Sequence, residues 1–220
     1  MVGRCAEIET YGLITGVRVL LLDVGGVIVP PASAALAMDL EDQLGLARGK
    51  LSPFLFEQEP WYALSTGRIT SQEYWERLAN QLGWKHETLQ RMLQPIHSPA
   101  QVDRHVIEIA RDVRSTLGLA ILSNATLGLE DHLGGLGVAH LFNPIINSAR
   151  VGLRKPDPRI FAHAVRVLGV PAESILFVDD KERNTLVAEQ CGIPSITFEN
   201  ATQLAEVLAR RGLYPRHTAS

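Results

Sequence analysis

An α/β fold, a doubly wound parallel sheet with an inserted helical unit, follows from three features of this 220-residue chain. Short apolar runs alternate with stretches of helical period, first at residues 17–22 and then from about residue 102 onward. Three of those runs end in polar groups: Asp23, Ser123-Asn124 and Asp179-Asp180. Between the first and second runs nothing alternates like a strand, so residues 31–100 read as a helical block inserted behind the first strand.

Composition narrows the classes. Hydrophobic residues make up 46% and charged residues 20% of the chain, which supports a packed core rather than disorder. A net charge of -3 leaves no footprint for nucleic acid or an acidic membrane. No apolar run approaches the ~20 residues of a membrane span, and the start of the chain lacks an apolar signal core. Cys5 and Cys191 have neither metal nor redox spacing and are expected as free thiols. These points make the expected setting cytoplasmic, with no nucleic-acid or membrane partner. Oligomeric state has no signature here.

Taken in order, residues 1–16 form an extension without a clear period. Val17, Val19, Leu20, Leu21 and Leu22 then suit a strand buried on both faces. Asp23 ends it, and Gly25-Gly26 allow a ligand to approach the main chain. After Pro30-Pro31, Ser33 caps an expected helix over Ala34–Ala47, with Leu36, Leu40 and Leu44 along one face. Leu51–Arg68 reads as irregular because Pro53, Pro60 and Thr66-Gly67 interrupt it, and Trp61, Tyr62 and Arg68 are candidates to face a site. Thr70 and Glu73 have capping-box spacing. The helix they open carries Tyr74, Trp75, Leu78 and Leu82 on its buried stripe and stops at Gly83. A further helix is expected over Glu87–Leu93.

The second half repeats helix and strand. Val102, Val106, Ile109, Ala110 and Val113 have helical spacing, and Leu119–Leu122 form a strand ending in Ser123-Asn124. A third strand falls within Asn143–Ser148. Asp157 caps a helix whose first residue is Pro158, with Ile160, Phe161, Ala164, Val165 and Leu168 on its apolar face and Gly169 as its stop. Ser174–Val178 form the next strand, followed by a helix to Gln190, a strand over Pro194–Phe198 and a helix over Gln203–Arg211.

In a parallel sheet all carboxyl ends lie on one edge, so Asp23, Ser123, Asn124, Asp179 and Asp180 should converge there, with Lys155 from the loop before a capped helix. Three carboxylates together repel unless a cation joins them. Oxygen ligands without His or Cys favour Mg²⁺ over zinc. A carboxylate left on the substrate side can attack phosphorus, helped by the metal and Lys155, while the Ser123 hydroxyl holds other phosphate oxygens.

The segments LLLDVGGVI, LAILSNAT, GLRKPDPRIF and ILFVDDKERN, in this order and spacing over residues 17–200, resemble the four motifs of the haloacid dehalogenase (HAD) superfamily. Within it the chain looks similar to sugar-phosphate phosphatases and to the phosphatase domain of soluble epoxide hydrolases. The resemblance implies a Rossmann-like core over 17–30 and 101–220, a cap domain over 31–100 and Mg²⁺ as cofactor. It also implies Asp23 as nucleophile and metal ligand, Gly25 as a metal ligand through its carbonyl, and Asp180 and Asp179 as further metal-site acids. Ser123, Lys155, Gly26 and Asn124 would bind the substrate, Asn124 through its backbone, with Ser123 and Lys155 also catalytic and Asn184 in support.

One departure stands out. Such phosphatases carry a second Asp two residues after the nucleophile, as general acid and base, where this chain has Gly25. General acid–base help is typically worth about 10²–10⁴-fold. The expected activity is hydrolysis of a small phosphomonoester, a sugar or organic phosphate, through an aspartyl-phosphate on Asp23. Alternatives are a non-catalytic protein that binds a phosphorylated ligand, favoured by Gly25, and a 2-haloacid dehalogenase, disfavoured by Asp179-Asp180.

Overall fold

The structure, a computed structural model, describes residues 16–29, 41–42, 47, 51–56, 58–85, 87 and 102–214. The extension, Cys5, most of the helix expected over 34–47 and all but the first residue of that over 87–93 lie outside these residues. Within them Cys191 is a free thiol.

Five parallel strands form one sheet: β1 (Val19–Leu22), β2 (Gly118–Ser123), β3 (Ile145–Asn147), β4 (Ile175–Asp179) and β5 (Ser195–Thr197), in the order β3-β2-β1-β4-β5. Such a sheet is covered on both faces, which is why the strands read as continuous apolar runs. Alternate residues serve opposite faces. Leu20, Leu22, Ile121, Leu176 and Val178 point into one core layer. There they meet α4 (Arg104–Val113), through Val106, Ile109 and Ala110, and α9 (Ala201–Arg210), through Leu204 and Leu208. Leu21, Ala120, Leu122 and Phe177 point into the other layer, against Ile160, Phe161 and Ala164 of α7 (Pro158–Leu168) and Ala188 of α8 (Glu182–Gln190). Full burial of each such side chain stabilises by roughly 1.5–3 kcal/mol.

The cap read at Asp157 falls where the sequence places it, while a second, at Asp103, has no counterpart in that reading. Asp103 accepts the amides of His105 and Val106 at the start of α4. Asp157 accepts that of Arg159, one residue beyond Pro158, and Gly169 ends α7 in the left-handed region at φ 65°.

The cap residues pack around their own small core. Here the expectation of irregular chain over Leu51–Arg68 is corrected: α1 (Leu51–Phe56) and α2 (Glu59–Leu64) are helical. Pro53 and Pro60 sit in first turns, where a proline interrupts no intrahelical hydrogen bond. α3 (Ser71–Leu82) opens with the expected capping box and ends at Gly83. Leu51, Leu55, Leu64, Tyr74 and Leu78 form the cluster, and the Tyr74 hydroxyl donates to the Leu55 carbonyl at 2.6 Å. Two short helices absent from the sequence reading lie in the core, α5 (Leu129–Gly135) and α6 (Ser148–Val151).

Among the described residues, the helices over 51–82 meet the sheet-bearing part of the chain at a few contacts. The Ser148 hydroxyl donates to the Ser65 carbonyl at 2.6 Å and accepts the Ala125 amide at 3.0 Å. The Arg154 guanidinium lies 4.0 Å from the Tyr62 ring centroid. The turn at Gly67, φ +69°, presses against the Ala149 carbonyl.

Candidate active site

Register builds the site. Leu22 pairs with Val178, so the next residues, Asp23 and Asp179, stand side by side at the carboxyl ends of β1 and β4. Ser123 ends β2 on the other flank of β1. The chain crosses from one side of β1 to the other between β3 and β4, so this crevice is the topological switch point where open α/β sheets bind ligands.

Lys155 reaches into this crevice from the loop between α6 and α7. Its buried Nζ lies 3.0 Å from Asp23 Oδ2 and 2.5 Å from Asp179 Oδ2. Burial alone would depress the ammonium's pKa, but the carboxylates of Asp179 and Asp23 outweigh it and raise it. Asn124 holds this loop in place: its side-chain amide donates to the Lys155 carbonyl and accepts the Lys155 amide, both at 2.8 Å. The Asn124 side chain is therefore committed to Lys155, and the residue also lines the cleft beside Ser123.

The three acids have different surroundings. Asp23 Oδ1 accepts the Val24 amide at 2.7 Å, and the nearby Ser123 hydroxyl favours the charged form of its carboxyl. Burial pushes its pKa up to about 6; Lys155 pulls it down and Asp179 pushes it up again. Asp179 resists the same burial because Lys155 and two further donors face it, and its pKa is lowered. Those donors are the Lys181 amide at 2.9 Å and the Asn184 side-chain amide at 2.8 Å, both on Oδ1. Asp180 has no comparable set: burial raises its pKa, and its Oδ1 is enclosed without a hydrogen-bond partner. One oxygen from each of Asp23, Asp179 and Asp180 lies within 4.8 Å of the others. Three convergent carboxylates, one with an unsatisfied buried oxygen, fit a hard divalent cation.

The two glycines differ. Gly26 has φ +85°, and a Cβ there would collide with the Asp180 carboxylate. Gly25 shows no such constraint: among the described residues a Cβ there would meet nothing within 4 Å. Gly25 instead lines a cleft of about 200 Å³ together with Ser123, Trp61 and Leu129. Of the three cap residues expected to face a site, Trp61 does so. Tyr62 and Arg68 line a separate cavity with Arg154, which corrects the expectation for those two.

Some supporting residues escaped the sequence reading. Asn147 accepts the Ala149 amide and donates to the Thr126 carbonyl at 2.8 Å, and Ser148 anchors Ala125. Both fix the loop after Ser123. The signal was present: β3, like its neighbours, ends in polar residues, and the rule that carboxyl ends share an edge applies to it equally.

No helix among the described residues is long and apolar enough to cross a membrane. A family model for haloacid dehalogenase-like hydrolases matches residues 17–192, and the chain belongs to that family. Among curated proteins it is 24% identical over 212 residues to a drimenol cyclase of Aspergillus calidoustus, covering 90% of this chain and 38% of that one. It is 34% identical over 90 residues to a phosphoserine phosphatase of Thermus thermophilus, covering 40% and 36%. The chain thus spans little more than a third of these two relatives' lengths. A sesquiterpene phosphatase of Aspergillus oryzae is 24% identical over 143 residues, covering 63% of this chain and 72% of the relative. Among solved structures, a HAD family enzyme of Bacteroides thetaiotaomicron in complex with magnesium and inorganic phosphate shares the fold. Its TM-score is 0.66 at 19% identity, over 86% of this chain and 99% of that one. An L-2-haloacid dehalogenase of Xanthobacter autotrophicus does so at TM-score 0.60 and 20% identity, over 90% and 85%.

Proposed function

We propose that this chain is a Mg²⁺-dependent phosphomonoester hydrolase that works through an aspartyl-phosphate on Asp23. The observation that carries this reading is the meeting of Asp23, Ser123, Lys155, Asp179 and Asp180, from four separated segments, at one sheet edge. Phosphatases among the curated relatives, and the magnesium and phosphate in the Bacteroides structure, support it.

Asp23, Asp180 and Asp179 would hold the metal, with the Gly25 carbonyl. When bound, Mg²⁺ supplies positive charge that offsets repulsion between the phosphate and the carboxylates. Lys155 adds charge on the same side; at an effective dielectric of ~20 one opposite charge ~4 Å away is worth roughly 4 kcal/mol. Asp23 attacks phosphorus, a P–O bond forms to its carboxylate, and the bond to the leaving-group oxygen breaks. The Ser123 hydroxyl and neighbouring amides, with Gly26 and the Asn124 backbone, hold the transferring oxygens. Water then attacks the same phosphorus, freeing Asp23 and inorganic phosphate. Asn184 holds Asp179 in its orientation. Gly25 offers no acid, so the departing oxygen takes its proton from water, and substrates with stable leaving groups are favoured. The expected substrate is a small organic phosphate.

Gly25 equally favours a second reading, a protein that binds a phosphorylated ligand without turning it over. The test is phosphate release from 4-nitrophenyl phosphate and a panel of metabolite monophosphates in Mg²⁺. Release should occur, vanish in chelator and vanish in Asp23→Asn. Binding without release across the panel would leave the second reading standing.

A further inference from the structure

We infer that the cleft beside Gly25 receives the organic group of the substrate, that this group is apolar and about the size of a benzyl or isopentenyl unit, and that Gly25 sets this preference. The inference rests on the phosphate-binding role of the site and deepens it. The cleft is continuous with the proposed phosphate cradle, because Ser123, Asn124 and Gly25 also form part of its wall. The rest of that wall is mostly hydrocarbon: Val24, Val29, Leu129 and the Trp61 ring. Trp61 is held in orientation by edge-on contacts with Phe56 and Tyr74, at centroid distances of 5.3 Å and 6.1 Å, so this wall is formed before any ligand arrives.

Away from the cradle, the polar side chains on the cleft among the described residues are those of Thr126 and His132. A polyol placed here would lose water from several hydroxyls and recover few hydrogen bonds, a net loss. An apolar group loses nothing by entering. An apolar cavity of roughly 150 Å³ holds benzene, so about 200 Å³ suits a slightly larger group.

Gly25 makes the room. Its φ lies outside the left-handed region and an added Cβ would touch nothing within 4 Å. Neither the backbone nor packing among the described residues therefore requires glycine at this position. What a side chain here would do is occupy the cleft where it joins the cradle.

The test compares affinities of two non-hydrolysable phosphonates for the full chain in Mg²⁺ by calorimetry, which needs no turnover. Benzylphosphonate should bind roughly 10-fold or more tightly than 2,3-dihydroxypropylphosphonate, as expected from the extra apolar area buried. Gly25→Val should collapse that ratio toward one by weakening benzylphosphonate more than 2,3-dihydroxypropylphosphonate. Trp61→Ala, which removes the indole ring from the wall, should reduce it if Gly25→Val fails to fold. Equal affinities in the unmodified protein, or a ratio untouched by both substitutions, would overturn the inference. Preferential binding with no phosphate release from benzyl phosphate would support the cleft and reject the hydrolase reading, so the two failures are distinct.

Discussion

Asp180 takes its place because Gly26 has no side chain. The left-handed φ of +85° at Gly26 and the Asp180 carboxylate standing where a Cβ would lie each call for glycine there. Gly26→Ala should cost about 1–2 kcal/mol for the backbone alone and push Asp180 out of line. In thermal unfolding, Gly26→Ala should lower Tm, and the rise in Tm on adding Mg²⁺ should shrink or vanish. Gly25→Ala should keep the fold, gaining up to about 0.4–1 kcal/mol because a compatible glycine restricts only the unfolded chain when replaced. Equal losses at the two positions would contradict this account. In the sequence the pair reads only as a turn. The acid that distinguishes them follows a different strand, and nothing local to Gly25-Gly26 announces it. Lys155 is similar: a lysine before a proline reads as a solvated loop, and only convergence of strand ends argues that it turns inward. Lys155 does turn inward, toward Asp23 and Asp179; Asn124 was expected at the same edge, but the tie of its side chain to the Lys155 backbone was not, since no charge betrays it.

At the scale of elements, what was legible is what local chemistry dictates. The buried strands, the Asp157 cap and the α3 capping box all follow from neighbours within four residues, whereas the Asp103 cap was not read. The short helices did not follow. α1 and α2 were hidden by prolines that read as breakers but occupy first turns. α5 has two apolar anchors, Leu129 and Leu133, bounded by glycines, too few for a period to show. The capping box carries a pH prediction. The Thr70 amide and then the Thr70 hydroxyl, both bonded to Glu73, hold its carboxyl below its usual range. A group whose folded pKa is depressed adds stability above its unfolded pKa, ~4.3, and loses it as pH falls through the folded value. Wild type should therefore exceed Glu73→Gln in Tm at pH 7, and the gap should close at pH 3. Thr70→Ala should cost about 1 kcal/mol at pH 7, read by chemical denaturation. A gap that persists unchanged at pH 3 would show that the Glu73 charge has no part in it.

Across the whole molecule, the sheet edge assembles the proposed chemistry and the cap supplies one wall of the cleft, so substrate selection depends on how the two are joined. The junction had no sequence signature, since Ser65–Ser148, Tyr62–Arg154 and Gly67–Ala149 pair residues far apart in the chain. It also links outward: the Ser148 hydroxyl holds the Ser65 carbonyl of the cap and the Ala125 amide of the loop after Ser123 at once. Trp61 lies on α2, which runs directly into this turn, and the Ser65 amide donates to the Trp61 carbonyl at 2.8 Å. A displacement at the turn should thus reach the Trp61 wall while leaving the carboxylates in place. Gly67→Ala makes that displacement, because the left-handed φ strains an alanine and its Cβ would overlap the Ala149 carbonyl oxygen. Hydrogen exchange should speed up at the amides of Gly67 and Arg68, which donate to Leu64 and Ala63, while β1, β2 and β4 keep their protection. Benzylphosphonate should bind severalfold more weakly and inorganic phosphate as before. Equal weakening of both ligands would mean that the junction supports the phosphate cradle itself, and that the cap does more than form one side of the cleft.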